Sequence, residues 1–177
     1  MAFILIRHAA TKGNLERRYI GCRTDEGILD FSPRAVPKAR RVVTSPLLRC
    51  IQTARILYPD IAPEIVSDFR ECDFGDFEGR NYLELSGDPA YQAWIDSDGE
   101  APFPNGESKA RFSERVVSAF APFWMDPPKE DIAFVVHGGT IMAIMEKFAL
   151  PKGGYYDFSV PNGCGYVLQY DGSYRKV

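Results

Sequence analysis

The chain has 177 residues, with 21 Lys and Arg, 24 Asp and Glu, and a formal net charge of −3 at pH 7. Hydrophobic residues make up 45% and charged residues 25%, a globular composition that excludes a disordered chain. The length predicts one domain, residues 1–177, whose core needs no disulfide or metal. The negative charge and the lack of a block of five or six basic residues argue against nucleic acid as a partner.

The sequence gives no sign of a membrane segment. The longest apolar runs, Phe3–Ile6 and Ile132–Val136, are far shorter than the roughly 20 residues needed to cross a bilayer. Arg7 and His8 interrupt the first run at once, unlike a signal peptide. The four cysteines lie far apart and form no C-x-x-C pair, which predicts free thiols. We therefore expect a cytoplasmic protein without a membrane partner, and the oligomeric state stays open.

The first third of the chain contains three short strand signals and one helix signal. Phe3–Ile6 predicts a buried strand, and Arg41–Thr44 predicts a second. Apolar residues at helical spacing predict a helix over 47–57, which Tyr58-Pro59 ends. Ile65-Val66 predicts a short third strand.

The middle of the chain changes character. Residues 70–107 are rich in Gly and Pro, so we expect turns with short helices between them, forming a small cap over the end of the sheet. A longer helix is predicted over 108–124, with an aromatic stripe facing the core. Pro127-Pro128 are expected to stop it.

The last third adds a strand, a helix and a hairpin. Ile132–Val136 predicts a buried strand, and Gly138-Gly139 lead into a helix over 140–149. Residues 166–170 and 173–177 predict a terminal hairpin. Strands alternating with helices indicate an α/β fold, a three-layer sandwich with a mostly parallel sheet flanked by helices and an antiparallel edge.

The two histidines of the chain, His8 and His137, each follow a predicted strand. Because ligands bind at the carboxyl ends of parallel strands, we expect both imidazoles at one edge, each beside a helix N-terminus that favours anions. Arg7 precedes His8, and Arg49 follows the second strand. Guanidinium groups bind phosphate through paired hydrogen bonds, so this set predicts a pocket for a doubly charged oxyanion. The alternative is that each histidine is an ordinary hydrogen-bonded residue at a strand end.

Five segments resemble, in order, the motifs of the histidine phosphatase superfamily, the phosphoglycerate mutase-like group. They are LIRHAATKGN at 5–14, TSPLLRCIQTA at 44–54, FRECDFGDFEG at 69–79, PNGES at 104–108 and VVHGG at 135–139. The first and third are most similar to the α-ribazole phosphatase-like subgroup. The resemblance implies a phosphoglycerate mutase-like fold and a phosphatase that uses no metal or cofactor and acts on a small phosphorylated metabolite, with α-ribazole 5'-phosphate as a candidate.

The resemblance also implies a role for each site residue. His8 would be the nucleophile that becomes a phosphohistidine, and Glu71 the acid that protonates the leaving oxygen. The phosphoryl group would be bound by Arg7, Thr11, Asn14, Gly21, Arg49, His137 and Gly138. His8 must attack as a neutral imidazole whose other nitrogen donates to a fixed acceptor. Glu71 must be protonated, which a nearby phosphate dianion would favour by raising its pKa.

Two departures from the family pattern concern the rim of the pocket. Ala9-Ala10 stand where the family has Gly-Glu. The connection over 21–45 is short, and Pro33 and Pro37 interrupt the helix that the family places there. A parallel crossover of this length is still feasible.

Other interpretations have weaker support. No cysteine is followed by Arg at the spacing of a cysteine phosphatase, there is no P-loop motif, and the cysteines and histidines do not form a convincing zinc site. The acidic residues of 96–107 lack the glycine of a calcium loop, and Glu78 is interpreted as a structural carboxylate. A phosphoglycerate mutase, a non-catalytic binder of phosphorylated ligands and a protein phosphohistidine or phosphoserine phosphatase remain as alternatives. The short chain favours an open phosphatase over a mutase.

Overall fold

The computed structural model describes residues 1–126 and 129–177, which build a six-stranded sheet. The strands are β1 (Ala2–Arg7), β2 (Arg41–Thr44), β3 (Glu64–Ile65), β4 (Ile132–Val136), β5 (Gly165–Gln169) and β6 (Tyr174–Lys176). Their order across the sheet is β3-β2-β4-β1-β5-β6. Strands β1 to β4 are parallel to one another, β5 is antiparallel to β1, and β6 is antiparallel to β5. The mostly parallel sheet with a terminal hairpin at one edge is thereby confirmed.

The three longest helices begin and end within two residues of the bounds predicted from the sequence. They are α1 (Lys12–Leu15), α2 (Leu48–Leu57), α3 (Pro89–Asp96), α4 (Lys109–Met125) and α5 (Gly138–Phe148), with 3₁₀ turns at Ser67–Phe69, Gly75–Phe77 and Tyr155–Phe158. Ser108 caps α4 by accepting from the amide of Arg111. The expected stop at Pro127-Pro128 lies outside the described residues. No helix of the described chain is long and apolar enough to span a membrane.

The central strand β4 is apolar throughout, and β1 is apolar up to Arg7 at its end, because both faces of the sheet are covered. On one face, Phe3, Leu5 and Phe134 belong to the large core cluster that α4 and α5 complete. On the other face, Ile4 and Val135 pack in a smaller cluster with α2. Helices therefore lie on both faces, as the three-layer sandwich requires.

The short crossover to β2 is irregular. Residues 21–40 contain no helix, so the expectation of a trimmed connection is confirmed. Val36 and Ala39 nevertheless pack against the smaller cluster, and the Tyr58 hydroxyl donates to the Pro37 carbonyl at 3.0 Å. This segment thus covers sheet surface that a helix would otherwise bury.

The turn-rich section over 70–107 contains α3, a 3₁₀ turn and a packed set of aromatic rings. The indole of Trp94 stacks on Phe103 with the ring centroids 4.9 Å apart, and Tyr19 meets Phe74 edge to face at 5.4 Å. Gly75 has φ +54°, and a Cβ there would lie 1.9 Å from the Pro104 carbonyl oxygen. A glycine is therefore required where these two turns meet.

Candidate active site

The two histidines emerge side by side at the carboxyl edge of the sheet. The parallel register pairs Arg7 of β1 with Val136 of β4, so the next residues, His8 and His137, are neighbours. The amide of His8 donates to the Val136 carbonyl at 2.9 Å. The two imidazole centroids are 5.2 Å apart, and the rings meet edge to face. The prediction that both imidazoles lie at one edge of the sheet is confirmed.

His8 is fixed in one neutral form. Its Nδ1–H donates to the Ala9 carbonyl at 2.7 Å, which leaves the lone pair of the neutral ring on Nε2. The acceptor is itself fixed, because the Ala9 amide donates to Thr53 Oγ1 at 2.9 Å. Burial, assisted by Arg49 and Arg7, lowers the pKa of His8 to about 3. At neutral pH the ring is therefore an uncharged imidazole with an available nucleophilic nitrogen.

His137 is the N-cap of α5 and is held by two groups that sequence reasoning missed. Its Nε2 lies 2.7 Å from Ser45 Oγ, and Cys50 Sγ lies 3.5 Å from the same nitrogen. Burial, then the charge of Arg49, lowers the pKa of His137 well below its usual value, so this ring is neutral as well. Ser45 directly follows β2, so the strand-end rule could have identified it.

The guanidinium groups of Arg7 and Arg49 are held by backbone carbonyls rather than by carboxylates. Arg7 Nη1 donates to the Val160 carbonyl at 2.8 Å. Arg49 donates from Nη1 to the Thr24 carbonyl at 2.8 Å and from Nη2 to the Gly21 carbonyl at 2.9 Å. Within the described residues, Nε of each arginine is buried without a hydrogen-bond partner. Two positively charged groups thus lie beside the histidines, and each has an N–H donor without an acceptor. Together they attract an anion strongly.

Glu71 reaches the same edge from the chain beyond β3. The side chain is 8% exposed. Its Oε1 accepts from the Cys72 amide at 2.9 Å, and its Oε2 accepts from the Gly139 amide at 3.3 Å, in the first turn of α5. Burial raises the pKa of Glu71, although the backbone donors and Arg49 oppose it. The arrangement suits a carboxyl group that gives and takes a proton.

Asn14 and Thr11 form the start of α1. Thr11 is fully buried, and its hydroxyl accepts from the Asn14 amide at 3.2 Å as the N-cap. Asn14 Oδ1 accepts from the Thr11 amide at 3.3 Å and from Asn162 Nδ2 at 3.0 Å. The hydroxyl of Thr11 thus accepts within the helix cap, and its expected contact with phosphate stays a prediction. Asn162, a further missed residue, also donates to the His8 carbonyl.

Gly21 and Gly138 lie in close-packed positions. The amide of Gly21 donates to Glu78 Oε2 at 3.1 Å, and a Cβ on Gly21 would lie 2.1 Å from Glu78 Oε1. The carbonyl of Gly21 accepts from Arg49 and its amide donates to the Glu78 carboxylate, so the expected contact of Gly21 with phosphate stays a prediction. Glu78 also accepts from the Thr24 hydroxyl, consistent with a structural carboxylate. Gly138 begins α5, where a Cβ would lie 3.4 Å from Arg7 Nε.

A cavity of about 310 Å³ opens beside these groups. Of the predicted site residues, Arg7, Asn14, Glu71 and Gly138 line this cavity, and the others are not part of its wall in the described structure. Most of the remaining wall is apolar or aromatic: Tyr19, Ile20, Phe74, Trp94, Phe103, Phe112, Met142, Tyr155 and Tyr156. The sequence predicted turns and short helices over 70–107, and it did not predict that aromatic side chains line a cavity.

Two of the three cations that line the cavity are already paired with carboxylates. Lys109 Nζ forms an ion pair with Glu100, and Arg18 Nη1 lies 2.7 Å from Glu84 Oε2. Of the cations that line the cavity, Arg7 is the one held by a backbone carbonyl alone. The charge of the wall thus favours an anion beside Arg7 and a neutral group against the rest of the wall.

One group of potential metal ligands occurs within the described residues: Cys22, Asp73 and Glu78, whose ligand atoms lie within 4.8 Å of one another. Arg23 already forms an ion pair with Asp73 at 2.7 Å, and Glu78 accepts from the Thr24 hydroxyl at 2.9 Å. We assign no ion to this group. All four cysteines are free thiols, as expected.

Comparison with known proteins agrees with this geometry. The model of the histidine phosphatase superfamily (branch 1) matches residues 3–177. The adenosylcobalamin/alpha-ribazole phosphatase of Escherichia coli is 27% identical over 181 residues, covering 93% of this chain and 87% of the relative. The probable phosphoglycerate mutase GpmB of Cronobacter sakazakii is 30% identical over 149 residues, covering 76% and 68%. A solved structure of a candidate alpha-ribazole-5'-P phosphatase from E. coli K-12 has the same fold, with a TM-score of 0.86 at 24% identity over 99% of this chain and 94% of that one.

Proposed function

This chain belongs to the histidine phosphatase superfamily and is a phosphatase, and we propose that it hydrolyses small phosphate monoesters through a phosphohistidine on His8. The observation that carries the assignment of His8 is its bond to the Ala9 carbonyl. That bond, together with a pKa lowered to about 3, supports a neutral ring with its lone pair on Nε2.

The reaction proceeds in two steps that use the same carboxyl group. His8 Nε2 attacks the phosphorus, the bond to the ester oxygen breaks, and protonated Glu71 gives its proton to that leaving oxygen. Glu71, now a carboxylate, takes a proton from water, whose oxygen attacks the phosphohistidine and releases inorganic phosphate. His8 returns to its neutral form and Glu71 to its acid form. Neither step needs a metal or an organic cofactor.

The phosphoryl oxygens bind where the arginine donors, Asn14 and the N-terminus of α5 meet. The unpartnered Nε atoms of Arg7 and Arg49 support this placement, as does Gly138 in the first turn of an 11-residue helix. Neutral His137 gives one more hydrogen bond to the phosphoryl group. Positioning and neutralisation of charge are the main requirements of phosphoryl transfer.

The substrate is a phosphate ester with a neutral, flat alcohol portion, and α-ribazole 5'-phosphate is the first candidate. Two observations support this choice: the name of the E. coli relative, and the aromatic wall of the cavity. Residues 1–177 act as one domain in this proposal, with 70–107 as a cap that supplies Trp94 and Phe103 to the wall. The free cysteines support a reducing compartment, the cytoplasm.

Phosphoglycerate mutase-type transfer is the second candidate, because the GpmB relatives carry that name. A phosphoglycerate has a carboxylate beyond its phosphate, which needs an unpaired cation besides those that bind the phosphate. Lys109 and Arg18, which also line the cavity, are paired with carboxylates in this chain. The charges of the cavity thus favour the phosphatase.

The test is hydrolysis of p-nitrophenyl phosphate without metal between about pH 5 and 8, for the wild type and His8→Ala. We expect turnover in the wild type, almost none in the variant, and an acid-labile phosphoryl group on the wild type after rapid quenching. Circular dichroism shows whether the variant is folded. Equal turnover in both proteins would refute the role of His8. Phosphate binding without turnover in either protein would favour a non-catalytic binder, and transfer to phosphoglycerate would favour the mutase.

A further inference from the structure

Tyr155 is the first residue of the last 3₁₀ turn, Tyr155–Phe158, and it lines the same cavity as the candidate acid. Its hydroxyl donates to the Gly139 carbonyl at 3.3 Å, and its ring lines the same cavity as Glu71. The Lys109 ammonium lies 5.7 Å from the ring centroid, on the cavity side of α4. Tyr155 is therefore held between the first turn of α5 and the start of α4.

The peptide groups around Gly139 connect Tyr155 to Glu71. The carbonyl of Gly139 accepts from Tyr155, and its amide donates to Glu71 Oε2 at 3.3 Å. Space around this glycine is limited, since a Cβ there would lie 2.5 Å from Glu71 Oε1. A small rotation of this residue would move the carboxyl group relative to the leaving oxygen.

We propose that Tyr155 is a positioning residue for Glu71: its hydroxyl fixes the Gly139 residue that donates to the carboxyl group, and its ring limits the access of water to that group. The inference rests on the proposed function, in which Glu71 protonates the leaving oxygen. A displaced acid transfers its proton less efficiently, and the loss grows as the leaving group becomes more basic. Tyr155 therefore acts on the step that needs the acid and hardly affects the binding of phosphate.

The neighbouring Tyr156 provides a matched control. It also lines the cavity, and the Lys109 ammonium lies 5.7 Å from its ring as well. Its side chain is 61% exposed, and its hydroxyl does not bond to Gly139. Removing the hydroxyl at either position is the same chemical change, made one residue apart.

The pH dependence of the acid is set by several nearby groups. Those whose charges interact with Glu71 are Arg7 on β1, Arg49 and Cys50 on α2, Cys72 beside it and Tyr155 on the last 3₁₀ turn. Both arginines lower the pKa of Glu71, and burial raises it more. Removing the ring of Tyr155 exposes the carboxyl group to water, so its pKa falls toward the ordinary value.

The experiment compares kcat/KM for phenyl phosphate and p-nitrophenyl phosphate, two esters of similar shape whose leaving groups differ in basicity. The proteins are the wild type, Tyr155→Phe, Tyr156→Phe, Tyr155→Ala and the reference Glu71→Gln. We expect Tyr155→Phe to lower kcat/KM about tenfold for phenyl phosphate and less than about twofold for p-nitrophenyl phosphate. Because Tyr156 also lines the cavity, Tyr156→Phe should change kcat/KM for the two esters by the same factor, without selectivity for phenyl phosphate. Tyr155→Ala should move the alkaline limb for phenyl phosphate to lower pH.

The outcomes distinguish a failure of the role of Tyr155 from a failure of the proposed function. An inactive wild type refutes the proposed function. An active wild type, with Glu71→Gln selective for phenyl phosphate and Tyr155→Phe either unchanged or equally impaired on both esters, refutes the inference alone. If Glu71→Gln itself shows no selectivity, Glu71 is not the acid and Tyr155 has nothing to position. An equal selective loss in Tyr156→Phe would also overturn the assignment.

Discussion

Replacing His8 by Gln tests whether the candidate nucleophile is buried as a neutral ring. Glutamine is of similar size and can donate to the Ala9 carbonyl, but it does not titrate. In the folded protein the pKa of His8 is lowered from 6.5 to about 3, with burial as the main cause and Arg49 next. Between these two values the unfolded chain binds a proton that the folded chain does not, so the wild type loses stability as the pH falls below about 6.5.

The magnitude follows from the size of the pKa shift. Each pH unit between the two pKa values is equivalent to about 1.4 kcal/mol, so His8 should contribute a loss of about 2 kcal/mol between pH 7 and 5. Other titratable groups, including His137 and Glu71, are present in both proteins. Their effects cancel when the change in the wild type is compared with the change in the variant.

Urea unfolding at pH 7 and pH 5 measures this difference. We expect the wild type to lose about 2 kcal/mol more than His8→Gln over that interval, with the same m-value in both proteins. Equal losses would mean that His8 titrates near its ordinary pKa in the folded protein. In that case the ring would be largely protonated in weak acid, and the argument that burial keeps it nucleophilic would fail.

Three further changes test the site and the core. Gly139→Ala places a Cβ 2.5 Å from Glu71 Oε1 and 3.0 Å from the Phe112 ring, so kcat/KM for phenyl phosphate should fall at least about tenfold while circular dichroism stays unchanged. Phe134→Ala removes a fully buried ring that packs on four other phenylalanines, and urea unfolding should show a loss of about 3–5 kcal/mol. Thr11→Val removes the cap of α1 and should cost about 1 kcal/mol in the same assay. Its kcat/KM should stay within about twofold of the wild type, and a larger loss would show that the hydroxyl contacts phosphate after all.

The parts of the site at strand ends could be predicted because they depend on local pattern. A continuous apolar run followed by His8, and another followed by His137, is sufficient to place both rings at one edge of a parallel sheet. The same rule places Arg7 and Ser45 at this edge, although Ser45 was not among the predicted site residues. No knowledge of distant contacts is needed, since the sheet itself brings the strand ends together.

The other parts depend on contacts between distant segments that have no periodicity. Residues 21–40 form no helix, so nothing local predicts that the carbonyls of Thr24 and Gly21 hold the Arg49 guanidinium. The bond from Asn162 to Asn14 spans 148 residues. Tyr155 lies in a four-residue turn, and its relation to Gly139 follows from how two segments pack, which neither segment encodes alone.

The two groups proposed for catalysis both depend on burial for their protonation state. Burial lowers the pKa of His8 and raises the pKa of Glu71, because it disfavours the charged form of each group. The charges of Arg7 and Arg49 help the first effect but oppose the second, since they lower the pKa of Glu71. A phosphate dianion bound between the arginines compensates their charge and adds its own, so it raises the pKa of Glu71. Binding of substrate and protonation of the acid are therefore linked, and the acid is most fully formed when a phosphate ester occupies the site.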